Sequence, residues 1–176
     1  MTHGEEPELS APASDVSPPA VNGALMREVM GRFATGVAIV ATMDEGQPYA
    51  AAVNSLTSVS LDPPLILVCL QLNSRTCRAI ERAGLFSVSV LTAEHEEHSR
   101  RFARAQPELG DPALEFVDGL PVVRGCLAGM ICETESMQVK GDHVVVFGHV
   151  IRTHHEHDTP LLFFGSRYHR LVGEQA

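Results

Sequence analysis

Basic residues are scarce in this chain, and lysine is nearly absent. Its 176 residues include 13 Lys and Arg against 22 Asp and Glu, Lys140 is the only lysine, and the formal net charge is −9. Proteins that bind nucleic acid through its phosphates carry the opposite balance, so we expect no nucleic-acid partner. No run approaches the roughly 18 apolar residues of a membrane span, and the N-terminus lacks a signal peptide's basic start and apolar stretch, so we expect no membrane association.

The chain also has no CxxC pair. Its four cysteines are Cys69, Cys77, Cys126 and Cys132, and three of them lie in apolar or periodic segments. This placement predicts reduced cysteines packed in the core of a cytoplasmic protein, and it argues against a disulfide framework.

The first 21 residues differ in composition from the rest. They hold four prolines and four acidic residues but no Lys or Arg. Such a segment buries too little apolar surface to offset its ordering entropy, so we expect residues 1–21 to form a disordered tail. Residues 22–176 contain no internal repeat and have a length suited to a single domain.

Apolar periodicity predicts a mainly β chain with two or three connecting helices. The helices are predicted to begin at the caps Asn22 and Ser74, the second ending at Gly84, with a third over the polar stretch 92–104. The predicted strands are 37–42, 49–55, 65–70, 86–91, 126–133, 143–151 and 161–164, and 105–125 is predicted as a long loop with at most one short strand. Since strands dominate, we expect a closed or nearly closed antiparallel β-barrel.

Three apolar patterns predict how these elements are buried. The continuous run Leu65–Leu70 is typical of a strand buried on both faces. The alternation over Phe86–Leu91 predicts a half-buried strand, with its serines on the polar side. In the first helix, apolar residues from Leu25 to Phe33, including Met26 and Met30, recur at helical spacing, and we expect them to pack in the core.

Hydroxyl side chains cluster in two places that could bind a phosphate. The segment 54–60 follows a predicted strand and carries Ser55, Thr57, Ser58 and Ser60, and Ser74-Arg75-Thr76 opens a helix. Hydroxyls, the free N–H groups of a helix N-terminus and a guanidinium together suit a phosphate group. A serine- and threonine-rich turn followed by an ordinary N-cap would give the same pattern, so the arrangement alone leaves both interpretations open.

Several segments, in their order along the chain, resemble the flavin reductase family. They are Phe33–Val37 (FATGV), Asn54–Pro64 (NSLTSVSLDPP), Ser74–Thr76 (SRT), Gly141–His143 (GDH), Pro160–Phe164 (PLLFF) and Tyr168. The resemblance covers roughly residues 25–172, and the SVSLDPP run and the GDH tripeptide at this separation are specific together. Members of the family are the short reductase components of two-component flavin-dependent monooxygenases. The resemblance implies their fold, a Greek-key antiparallel split β-barrel that binds FMN.

The resemblance also implies roles for individual residues. The flavin-binding positions match Thr35, Ala52, Val53, Asn54, Ser55, Ser58, Val59 and Ser60, and the flavin phosphate position matches Ser74, Arg75 and Thr76. His143 and Tyr168 match positions that meet the nicotinamide nucleotide. Many relatives carry Gly and Thr before the asparagine, where this chain has Ala51-Ala52-Val53. Small residues still allow close backbone approach, so the difference bears on which flavin is preferred.

The implied activity is an NAD(P)H:flavin oxidoreductase. It would pass hydride from NADH or NADPH to FMN or FAD, act as a homodimer and supply reduced flavin to a partner monooxygenase. Hydride passes directly between the cofactors, so no catalytic side chain is expected, and the absence of a catalytic triad or P-loop is consistent with this. The alternative from another class is a non-catalytic flavin- or haem-binding split barrel that acts as a carrier or sensor.

Other residues have simpler interpretations beside these. His143 is also typical of a turn at a strand start, and Tyr168 of a core or rim aromatic. The clusters His95–His98 and His154–His157 lack a third ligand at recognisable spacing, so we expect no metal, and a zinc-dependent hydrolase is the weaker alternative. Six of the 13 basic residues lie between 73 and 104. Except for Arg75, we expect them on exposed helix faces.

Overall fold

Strands make up most of the computed structural model, which describes residues 20–171. Within that range the helices are α1 (Gly23–Met30), α2 (Arg75–Ala83) and α3 (Glu96–Phe102), and a 3-10 turn at Ala93–His95 precedes α3. The strands are β1 (Thr35–Gly36), β2 (Ala38–Asp44), β3 (Gln47–Val53), β4 (Thr57–Leu61), β5 (Pro64–Gln71), β6 (Leu85–Val90), β7 (Leu114–Val117), β8 (Leu120–Val123), β9 (Ala128–Lys140), β10 (His143–His155), β11 (Leu161–Phe164) and β12 (Arg167–Arg170). Of the predicted tail, residues 1–19 lie outside the described residues.

The two predicted helix caps are present. The Asn22 side chain accepts hydrogen bonds from the N–H groups of Ala24 and Leu25, each at 3.0 Å. The Ser74 hydroxyl accepts from the N–H of Cys77 at 3.1 Å, and Gly84 ends α2 in the left-handed conformation at φ 69°. No helix among the described residues is long and apolar enough to cross a membrane.

One antiparallel sheet of seven strands, in the order β3-β2-β6-β9-β10-β5-β4, forms the body of the fold. A small sheet, β1-β11-β12, and the hairpin β7-β8 pack beside it. The end strands β3 and β4 are not paired with each other within residues 20–171, so the predicted barrel is not closed by hydrogen bonds. The mainly β class with connecting helices is confirmed.

The centre of the sheet is buried on both faces. Ile39 and Ala41 of β2 face one apolar cluster, and Ala38 and Val40 face the other. The prediction that β6 is half-buried is therefore wrong. The hydroxyl of the buried Ser89 accepts from the N–H of Val123 at 3.0 Å, and the other serine of β6 is buried and hydrogen-bonded as well.

In two other places the side chains are more exposed than the sequence predicted. On β5, Ile66, Val68 and Leu70 are buried, but the alternate side chains are only partly buried. The α1 stripe is not in the core of the described chain, since its apolar side chains from Leu25 to Phe33 are 40–65% exposed. Periodicity identifies an apolar face but not the surface that covers it.

The segment 105–125 contains the hairpin β7-β8 where at most one strand was expected. Its two-residue turn is Asp118-Gly119, with φ of 51° and 79°. An Asp-Gly pair between apolar runs favours this type of turn, so the sequence carried a signal for the hairpin.

Candidate functional site

A cleft of about 730 Å³ lies between the end of α1, β1 and the β3-β4 connection. Its walls come from residues 33–38 and 54–57, completed by Met30, Leu67, Cys69 and Val90. None of these lining residues is charged, and the half-buried side chains of β5 face this space. Thr35 Oγ1, on the wall, is buried without a hydrogen-bond partner among the described residues. The cleft suits a largely uncharged ligand edged with hydrogen-bonding groups.

Ser55 fixes the wall of this cleft to β5. Its Oγ accepts a hydrogen bond from the N–H of Cys69 at 2.9 Å and donates to the Cys69 carbonyl at 3.3 Å. The regular pairing of β4 with β5 begins at Thr57 opposite Leu67. The Ser55 side chain therefore extends the ladder of hydrogen bonds to β5 ahead of the point where β4 begins.

A second cleft of about 200 Å³ adjoins the first at Cys69. It is bounded by β3, the end of β5, the first turn of α2, residues 102–106 and His143. The Thr76 hydroxyl is buried and donates to the Ala50 carbonyl at 2.9 Å, so α2 is held against β3. The first N–H groups of α2 have no intrahelical acceptor, because a helix leaves its first turn unpaired.

His143 enters this second cleft at the start of β10, where it lies opposite Gln71 of β5. Its Nδ1 lies 2.8 Å from Asp142 Oδ1. The hydrogen bond from the imidazole lowers the pKa of the Asp142 carboxyl below its ordinary value. With Nδ1 bonded in this way, Nε2 is the ring nitrogen left to meet a ligand.

The residues singled out from the sequence divide into three groups. The larger cleft is lined by Thr35, Asn54 and Ser55. The smaller one is lined by Val53, Ser74, Thr76 and His143. Neither cleft is lined by Ala52, Ser58, Val59, Ser60, Arg75 or Tyr168.

Strand geometry places most of this third group. Ala52 pairs with Ile39 and packs on the core, so its side chain points away from the clefts, while Ala51 and Val53 face the smaller cleft. Ser58, Val59 and Ser60 lie on β4, the edge strand, around a register shift in its pairing with β5.

Tyr168 is tied to α3 instead. Its hydroxyl lies 2.9 Å from Ser99 Oγ, the guanidinium of Arg100 lies 4.6 Å from its ring centroid, and Phe163 packs edge-on at 5.3 Å. These contacts are typical of an aromatic side chain in the core or at its rim, which is the simpler interpretation of Tyr168 given above.

Among the cleft residues that sequence reasoning missed, three carry polar or ionisable groups: Cys69, Arg104 and, beside it in the chain, Gln106. Cys69 was assigned to core packing, but it alternates with Val68 and Leu70 and therefore faces the clefts. Arg104 and Gln106 follow α3 in a segment without periodicity, so nothing in the sequence placed them beside α2.

The histidine clusters lie away from both clefts. Across residues 20–171, no three His, Cys, Asp or Glu side chains converge in a way that could hold a metal ion. His154 instead contacts the buried Cys126, with Nε2 3.4 Å from Sγ.

Comparison with known protein families identifies the relatives of this chain. The model of the flavin reductase like domain matches residues 30–172. The chain belongs to this family. The reductase subunit HsaB of a flavin-dependent monooxygenase from Rhodococcus jostii is 38% identical over 156 residues, 87% of this chain and 80% of that protein. The FMN reductase (NADH) SmoA of Agrobacterium fabrum is 38% identical over 155 residues, 87% of this chain and 88% of that one.

Solved structures of flavin reductases share the fold. The Streptomyces globisporus NADH:FAD oxidoreductase SgcE6, in complex with NAD and FAD fragments, matches with a TM-score of 0.81 at 30% identity, covering 87% of this chain and 94% of that one. The split-barrel fold implied by the sequence motifs is thereby confirmed.

Proposed function

We propose that this protein is an NADH-dependent flavin reductase that passes hydride from NADH to FMN or FAD and supplies the reduced flavin to a partner monooxygenase. The observation that carries the proposal is the pair of adjoining clefts. One is large and uncharged, and the other contains the first turn of α2. A flat, mostly apolar ring joined to a phosphate by a polar chain fits this sequence of environments. Both relatives above are named as reductases, and one of them carries NADH in its name.

In this proposal the flavin ring lies in the larger cleft. Asn54, Ser55 and the unpartnered Thr35 hydroxyl offer hydrogen bonds to its polar edge. Val53 and Ala52 contribute backbone groups, and Ser58, Val59 and Ser60 flank the ring and ribityl chain from β4. The phosphate lies toward the start of α2, where Ser74 and Thr76 line the smaller cleft, and the nicotinamide nucleotide meets His143 and Tyr168.

For hydride transfer, the protein needs only to position the flavin and the nicotinamide against each other. A bound flavin accepts hydride at N5 when a reduced nicotinamide lies against its ring. The apolar walls around Val37 and Leu67 exclude water, and the hydroxyl groups orient the ring edge. His143 Nε2 can accept a hydrogen bond from a nicotinamide carboxamide, because Nδ1 is already bonded to Asp142. No side chain needs to act as general acid, base or nucleophile.

The exposed face of α1 supports a homodimer. Met26, Val29 and Phe33 are 53%, 58% and 65% exposed, and Met30 and Phe33 also line the larger cleft. A second copy over this face would cover an apolar surface and wall the cleft. Val29→Glu should reduce the mass in solution from twice 19.0 kDa toward 19.0 kDa, and Ile151→Glu, at another exposed apolar position, should leave it unchanged. A wild-type protein that sediments as a monomer contradicts the dimer.

The free cysteines support a reducing compartment. All four are unpaired, and three of them are buried. We therefore place the protein in the cytoplasm, where thiols stay reduced and where a flavin-dependent monooxygenase could receive its product.

Steady-state kinetics test the activity. Purified protein should oxidise NADH only when FMN or FAD is added, and the rate should saturate in both reactants. A protein that retains a tightly bound flavin or haem through purification and oxidises no NADH would be a carrier or sensor, and the reductase proposal would be wrong. Stoichiometric zinc together with hydrolytic activity would favour the zinc-hydrolase alternative.

A further inference from the structure

The second cleft has a lining that suits an anion. Arg104 and His143 are its two basic side chains, and none of its lining residues is an aspartate or glutamate. That composition is unusual in a chain with 22 acidic and 13 basic residues. The first turn of α2 forms part of the same wall, and the N–H groups of Arg75 and Thr76 there have no intrahelical acceptor.

Arg104 has no carboxylate partner among the described residues. Six other arginines form ion pairs there: Arg82, Arg100, Arg101, Arg124, Arg152 and Arg170. Arg104 lies only three residues beyond Arg101, which is held at 2.9 Å by Asp111. The guanidinium of Arg104 is therefore free to bind an anion in the cleft that it lines.

Gln106 fixes the segment that carries Arg104. Its Oε1 accepts a hydrogen bond from the N–H of Ala50 at 2.9 Å and lies 3.5 Å from the Thr76 hydroxyl. One side chain thus joins the segment after α3 to β3 and to the first turn of α2. This link places Arg104 in the lining of the same cleft as Ser74 and Thr76.

Arg75 is placed differently. Like Arg104 it is exposed and forms no ion pair among residues 20–171, but as the first residue of α2 it lines neither cleft. A motif match assigns a role by position in the chain, whereas a phosphate is bound by whichever cation the fold brings to it.

We infer that Arg104, rather than Arg75, is the cation that binds the flavin phosphate in the second cleft, together with the start of α2. The inference rests on the proposed function, since it requires a flavin whose ring lies in the larger cleft. Because the two clefts join at Cys69, a ribityl chain leaving the ring cleft enters the space in front of Arg104. Gln106 acts as a positioning residue for this contact.

Equilibrium binding without NADH tests the assignment, with FMN, FAD and riboflavin as probes. Riboflavin has the same ring and ribityl chain but no phosphate. Arg104→Gln should weaken FMN binding by roughly 10- to 100-fold, the size expected for losing a charge-assisted hydrogen bond, and should leave riboflavin binding unchanged. FAD binding should weaken as well, and Arg104→Lys should recover part of the loss. The matched control is Arg124→Gln, an exposed arginine paired with Glu115 on the β7-β8 hairpin.

The outcomes separate this inference from the proposed function. Wild-type preference for FMN over riboflavin that survives in Arg104→Gln overturns the assignment while the reductase proposal stands. The same follows if Arg75→Gln removes the preference and Arg104→Gln does not. A wild-type protein that binds no flavin overturns both proposals.

Discussion

The hydroxyl of Ser55 bonds both backbone groups of Cys69, accepting from its N–H at 2.9 Å and donating to its carbonyl at 3.3 Å. Cys69 is also the residue shared by the two clefts. The contact therefore has two functions. It replaces strand pairing before the start of β4, and it fixes the loop of residues 54–56 that lines the larger cleft.

Removal of this hydroxyl should destabilise both the sheet edge and the site. Ser55→Ala leaves two backbone groups of Cys69 without their partner, which costs about 1–3 kcal/mol of unfolding free energy. Urea denaturation at fixed protein concentration measures this loss, and flavin affinity should fall with it. Ser136→Ala is the matched control, because the Ser136 hydroxyl bonds only the exposed Glu135. Equal midpoints for Ser55→Ala and the wild type would contradict this account of the loop.

Substitution of His143 should weaken the binding of the nicotinamide nucleotide more than the binding of the flavin. His143→Ala should raise the KM for NADH roughly 2- to 10-fold, the range of one neutral hydrogen bond, with a small change in kcat. Asp142→Asn should act in the same direction and more weakly, because it disturbs the 2.8 Å contact that sets the ring nitrogens without removing the ring. Unchanged KM and kcat in His143→Ala would remove the role assigned to this residue.

Local sequence signals predicted both helix caps and the end of α2, whereas α1, expected to run to about Thr35, ends at Met30. Asn22, Ser74 and Gly84 act through their own side-chain or backbone chemistry, which depends on a few neighbouring residues. The Asp118-Gly119 turn belongs to the same class of signal, and it could have revealed the β7-β8 hairpin. Such features are readable because the physical cause and its effect lie within four or five residues.

Which residues are buried and which line the clefts depends on contacts between distant parts of the chain, and the sequence does not show those contacts. The alternation over Phe86–Leu91 looks half-buried, yet β6 is covered on its polar side by the β7-β8 hairpin. Arg104 lies 28 residues after Thr76 along the chain, yet both line the second cleft. The motif resemblance assigned roles to Ser55 and His143, which line the clefts, and to Arg75 and Tyr168, which line neither cleft.

Gly148 should not tolerate a side chain. A Cβ at this position would lie 2.5 Å from Phe86 Cζ and 3.0 Å from Cys132 Cβ, and both neighbours are fully buried. Gly148→Ala should therefore cost about 1–3 kcal/mol of unfolding free energy through overpacking. The double variant Gly148→Ala with Phe86→Leu should be less destabilised than the sum of the two single variants, because the smaller side chain makes room.

Gly129 provides the matched comparison. A Cβ there would lie 2.0 Å from His154 Cε1, a closer approach than at Gly148, but His154 is exposed and can rotate away. Gly129→Ala should cost less than Gly148→Ala despite the shorter distance. The opposite order in denaturation midpoints would show that the Cys126–His154 contact contributes more than its exposure suggests.

Acid should weaken the contact that ties the segment after α3 to the helix. Burial raises the pKa of the Asp111 carboxyl, but hydrogen bonds from the Arg101 side chain and the Ala113 N–H outweigh it and hold that pKa below its ordinary value of 3.8. A carboxyl with a depressed pKa in the folded state contributes stability that is present above the unfolded-state pKa and is lost as pH falls through the folded-state pKa. Asp111→Asn should therefore be less stable than the wild type near about pH 6, and the difference should shrink toward about pH 3.

Denaturation midpoints across this pH range measure the difference. The exposed pair Asp118–Arg152 is the comparison, since Asp118→Asn should lower the unfolding free energy only slightly. If the wild type is still more stable than Asp111→Asn by the same amount near about pH 3, the charge of the Asp111 carboxylate is not what stabilises this segment.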